Sequence, residues 1–164
     1  MANAVLEQLA KHLETKLKEA LTAKKYVDTG NLLNSIHVDV VESNGSYALV
    51  GYHADYGYFA EKGRKPGTWP ARGVIESWMS RKGIGNDLTD SGKKGLAYII
   101  RRKIKEKGIP GTYSKEWSIG NTLKRPNYIS DVLTKEEQYM RNEVQKAFAT
   151  EFDIMISEIT QKFK

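Results

Sequence analysis

The pair Asn44-Gly45, set between His37-Val38-Asp39-Val40-Val41-Glu42 and Tyr47-Ala48-Leu49-Val50-Gly51-Tyr52, constrains this chain more than any other feature. Both flanks are rich in β-branched and aromatic residues, and Asn and Gly tolerate the positive φ angles of a tight hairpin turn. An antiparallel hairpin follows. Upstream, Leu6, Leu9, Leu13, Leu17 and Leu21 recur at spacings of three and four, which aligns them in one stripe of an α-helix with a charged opposite face. That stripe needs cover, so Leu13 and Leu17 are expected to face the sheet.

Between helix and hairpin, Asp28 or Thr29 can accept a hydrogen bond from the exposed amides of a following turn, which predicts a short helix through Leu32, Leu33 and Ile36. After the hairpin comes Tyr56-Gly57-Tyr58-Phe59-Ala60-Glu61-Lys62-Gly63 and then the basic segment Arg64-Lys65-Pro66-Gly67-Thr68-Trp69-Pro70. Its prolines and glycines predict one long loop from Tyr56 to Trp69, mobile in an isolated subunit. Val74, Ile75, Trp78 and Met79 restore helical spacing over 73–82, with Gly83 as the C-cap. Gly85 to Gly92 reads as a loop, and Leu96, Ile99, Ile100 and Ile104 mark a helix over 93–107 that stops at Gly108. Thr112 to Pro126 lacks periodicity and is expected to wrap over the body or add a strand. Thr134 with Glu137 spells a capping box, and Met140, Val144, Ala147, Phe148, Phe152, Met155, Ile156, Ile159 and Phe163 continue the stripe of a last helix at about 134–163. The expected fold is α+β: a single domain over 1–164, with an antiparallel sheet built on the hairpin and packed against an N-terminal helix. Helical insertions fall around 73–107, and a long C-terminal helix follows.

A length of 164 residues can bury roughly two thirds of the unfolded surface, enough for one core. Apolar residues at 40% and charged residues at 28% are those of a globular protein. Cysteine is absent, which removes disulfides, thiolate catalysis and cysteine-based metal sites. Met1 to Leu21 is broken by six charged residues, so it is expected to be neither a signal peptide nor a membrane span, and synthesis in the cytoplasm is the default. The net charge of +6 permits contact with nucleic acid, acidic protein or anionic lipid without choosing among them.

Enzyme readings fail on context. Asp28-Thr29-Gly30 spells the triplet of aspartic proteases, but those follow a hydrophobic strand, whereas Lys24-Lys25 precedes this one and Leu32-Leu33 follows. Gly92-Lys93 lacks both the earlier glycine and the following Ser or Thr of a phosphate loop. His12, His37 and His53 form no metal-ligand pair; His12 is expected on a helix surface, the others on or beside strands. No catalytic residue, cofactor site or metal site is expected. Tyr56, Tyr58 and Phe59 beside Arg64 and Lys65 could stack on bases, which makes a small basic nucleic-acid-binding module the alternative reading. Rings covering the sheet or a neighbour's surface are the simpler account. Arg101-Arg102-Lys103 with Lys105 and Lys107 is most simply the outward face of its helix.

The order of the pieces resembles the tail-completion and head-to-tail joining proteins of long-tailed bacteriophages. Thr29-Gly30-Asn31-Leu32-Leu33-Asn34-Ser35-Ile36 is similar to that family's Thr-Gly-x-Leu-x-x-Ser-Ile start, and Tyr56 to Gly63 to its Tyr-x-x-x-x-Glu-x-Gly segment. The resemblance covers about residues 5–75. Departures are a bare Trp69-Pro70 where the family often carries Phe-x-x-Pro, and the two inserted helices. The resemblance implies a virion protein, made in the host cytoplasm, that forms a homo-oligomeric ring at the head–tail interface beside portal, connector or tail-tube proteins. DNA would pass through without sequence-specific binding, past few cations, and no membrane is involved. Contact candidates are Tyr56, Tyr58, Phe59, Glu61, Arg64, Lys65, Trp69, Phe152, Met155, Ile159 and Phe163.

Overall fold

A computed structural model describes residues 2–24, 27–109 and 127–162. The fold is α+β, and its contacts divide the chain into two compact units, one of residues 1–23, 32–54 and 128–164, the other of 24–31 and 55–127.

In the first unit, helix α1 (Ala2–Ala23) packs on strand β1 (His37–Ser43) and on the long helix α6 (Tyr128–Lys162). Leu9, Ala10, Leu13, Leu17 and Leu21 are buried as the leucine stripe requires, and Ile36 and Val38 meet them from the sheet side. β1 pairs antiparallel with β2 (Ser46–Tyr52), Val38 opposite Gly51 and Ser43 opposite Ser46. Asn44 and Gly45 have φ of 50° and 75°, the doubly left-handed pair of a primed turn. The short helix α2 (Asn31–Ser35) leads into β1, its Asn31 N–H donating to Thr29 Oγ1 at 3.4 Å.

The last helix starts six residues before the expected Thr134. Thr134 sits inside it, its hydroxyl donating to the Ser130 carbonyl, and Glu137 binds Arg141, so no capping box forms. Burial decides the start instead: Tyr128 and Val132, 1% and 5% exposed, belong to the core, and a helix from Tyr128 puts both on its inner face.

The second unit contains α3 (Gly57–Lys62), α4 (Val74–Lys82) and α5 (Asp90–Lys107). Ile75 and Met79 of α4 pack on Ala97, Ile100 and Ile104 of α5, with Trp78, Ile84, Leu96 and Ile109 around them. Ile99, expected in that stripe, is exposed; Ala97 takes the inward position, one turn before Ile100. Gly83 closes α4 in the left-handed conformation as expected. α5 begins at Asp90, three residues earlier than the periodicity suggests, because Thr89 caps it by accepting from the Gly92 N–H at 3.2 Å. The stretch from Tyr56 is not all loop: residues 57–62 form α3, whose short span the glycine-rich sequence hides. The expectation for Thr112 to Pro126 lies outside the described residues.

Candidate interaction surfaces

The two motifs of the N-terminal half are held by specific bonds. Gly30 has φ of 82°, a conformation glycine adopts without strain, and Leu32 and Ile36 are buried. Ser35 Oγ donates to the Leu32 carbonyl and accepts the Ala54 N–H, each at 2.8 Å, which ties the end of α2 to the chain leaving β2. Gly63 closes α3 at φ 74° and ψ −167°, a region essentially reserved for glycine, and its N–H donates to the Phe59 carbonyl at 2.9 Å. Both motifs are therefore chain-turning devices.

Asp28 does not cap a helix: its carboxylate takes two bonds from Arg81, at 2.5 and 3.0 Å, which hold its pKa below the ordinary value. His12 is half-buried rather than on a bare helix surface, 2.7 Å from a Glu136 carboxylate oxygen and tilted against the Tyr139 ring. His37 lies on β1, bonded to Glu14 at 3.0 Å, which raises its pKa with help from Asp39. Lys18 holds the Glu14 carboxyl below its ordinary value. Among the described residues no group of three or more acids and histidines is placed to hold a metal ion.

The contact candidates fall on both units. Tyr56, Tyr58 and Phe59 are exposed around α3, with Tyr58 and Phe59 edge to face at 6.0 Å. Glu61 is buried, and its main-chain carbonyl accepts the Asn127 N–H. Arg64 pairs through its backbone with Ile109 and sends its guanidinium to the Trp69 carbonyl at 3.4 Å; Lys65 is exposed. The Gly67 N–H donates to the Lys105 carbonyl at 2.7 Å and Arg101 donates to that of Pro70 at 2.9 Å. The segment Arg64–Pro70 is thus tied to α5, against the loose loop its composition suggests. Trp69 is packed by Lys105 and Arg101, 4.9 and 5.5 Å from its ring centroid, and its ring lies 5.8 Å from that of Tyr98. Tyr98, Arg101 and Lys105 were not among the sequence candidates for contact, although their spacing of three and four along one helix face was readable.

On α6, Phe148, Phe152, Met155, Ile156 and Ile159 recur at helical spacing and are all exposed, Phe148 at 63% and Phe152 at 60%. Phe163 lies outside the described residues. Beside Phe148, a groove of about 710 Å³ is lined by Val5 and Leu6 of α1, Tyr47 of β2, and Val144 and Ala147 of α6.

Residues 1–63 match a protein family described as "Bacteriophage HK97-gp10, putative tail-component". Both motifs lie inside that span, and α4, α5 and α6 lie beyond it. No curated protein and no solved structure matches the chain. Among the described residues no helix is long and apolar enough to cross a membrane.

Proposed function

We propose that the chain is a structural virion protein that forms a ring at the head–tail joint of a long-tailed phage, as a tail-completion or neck protein, and that it is not an enzyme. In this reading it is one domain, with residues 73–107 inserted between the matched N-terminal part and α6. The observation that carries it is the exposed stripe Phe148 to Ile159, because contiguous apolar surface of this kind marks a contact with another protein. Phe148, at one end of the stripe, lines the groove with Leu6 and Tyr47, whereas Phe152, Met155, Ile156 and Ile159 do not. Seating these four from one copy in the next copy's groove therefore makes a heterologous contact that closes into a ring when the rotation allows. Tyr56, Tyr58 and Phe59 are assigned to contacts with neighbouring neck or tail-tube proteins. Electron microscopy of the purified chain tests this: annular particles are expected, and a chain that stays monomeric at every concentration tried argues against it.

A further inference from the structure

We propose that the exposed face of α5, together with Trp69, is a binding site for single-stranded nucleic acid. The formal charge of +6 conceals a division. Residues 24–31 and 55–127 hold 18 Lys and Arg against 8 Asp and Glu, a net of +10, while the remainder holds 8 against 12, a net of −4. The cations are densest along α5, where Lys93 to Lys107 carries seven against one carboxylate, Glu106, which Arg102 binds at 2.7 Å. Lys94, Tyr98, Arg101, Arg102 and Lys105 share one face at spacings of three and four, over about 16 Å of helix.

Two aromatic rings are fixed within that stripe. Trp69, 37% exposed, lies under Lys105 and Arg101 and beside Tyr98, which is 54% exposed. The loop that carries Trp69 is bonded to α5 through Gly67 and Pro70, so rings and cations keep their spacing. Exposed rings alternating with cations suit a strand whose unpaired bases stack while its phosphates meet the charges. An acidic peptide would use the cations but leave the rings idle. All of these residues lie outside the family-matched segment, so the site does not depend on the role proposed above.

The test is fluorescence anisotropy of the full chain with a labelled oligothymidine of about 16 nucleotides, the upper end of usual footprints. Tyr98→Ala is expected to weaken binding about 5- to 150-fold, the range of one lost stacked base, while Tyr98→Phe keeps it. Lys94→Gln with Arg102→Gln is expected to flatten the slope of log affinity against log salt by about 1.4, the value for two lost single-strand phosphate contacts. Lys16→Gln with Lys146→Gln, two cations of the acidic unit, is expected to change little. Circular dichroism verifies that each variant is folded. An equal loss in the Lys16 and Lys146 pair, an unchanged affinity in Tyr98→Ala, tighter binding of duplex than of single strand, or full displacement by poly-glutamate would each overturn the proposal.

Discussion

Tyr128 and Val132, in the first turns of α6, are buried where that helix packs on α1, whereas Phe152, Met155, Ile156 and Ile159, further along it, stand in solvent. Both stretches follow the same helical period, so sequence pattern does not separate them. Length does. α1 has 22 residues and α6 has 35, or about 33 and 52 Å of helix, so α6 outruns the helix it packs on by about 20 Å. The first stretch serves the unit's own core, and the second is exposed apolar surface.

The comparison breaks most readily at the buried end. Leu13 lines a 230 Å³ cavity with Leu17, Tyr128 and Leu133, and Leu13→Ala is expected to cost about 2 to 5 kcal/mol in urea unfolding. A cost within about 0.5 kcal/mol would place α1 outside the core. At the exposed end, Phe152→Ala with Ile156→Ala should leave the stability of the dispersed subunit within about 0.5 kcal/mol, the usual range for surface changes, while reducing assembled mass in light scattering. A large destabilisation of the isolated subunit would show that the two ends of α6 do not differ.

The smallest effect concerns the α1–β1 seam. His37 has its pKa raised above 6.5 by Glu14 and Asp39, so its contribution to stability is complete below pH 6.5 and lost as pH rises through the higher folded value. Glu14, lowered below 4.5, contributes above that pH and loses its share on acidification. The melting temperature is therefore expected to drift slightly downward above pH 6.5, and His37→Gln should remove the drift. A drift that survives His37→Gln would assign it to another group.

Much of this was legible in advance, for local reasons. Asn44-Gly45 dictates its own turn, and the leucines of α1 and the Gly83 cap follow from spacing and backbone freedom. What was not legible depends on distant partners. The start of α6 is set by where Tyr128 and Val132 are buried, and Thr134 with Glu137 imitates a cap without that context. The cluster of Trp69, Tyr98, Arg101 and Lys105 joins residues about thirty apart, through bonds that compensate for the proline and glycine of the Arg64–Pro70 segment. The alternative of bases stacking on Tyr56, Tyr58 and Phe59 was read from neighbours along the sequence, whereas Tyr98 comes beside Trp69 only through the fold.

Ending the chain after Thr150 removes Phe152, Met155, Ile156 and Ile159 while leaving Tyr128, Val132 and the whole of α1 and the hairpin. Circular dichroism with thermal melting, run beside light scattering on the same samples, compares this truncated chain with the full one. The account predicts a folded protein with nearly unchanged melting that no longer assembles and does not restore infectivity when added to particles lacking it. Global unfolding would put the distal half of α6 in the subunit's own core, and undiminished assembly would show that the stripe is not the contact.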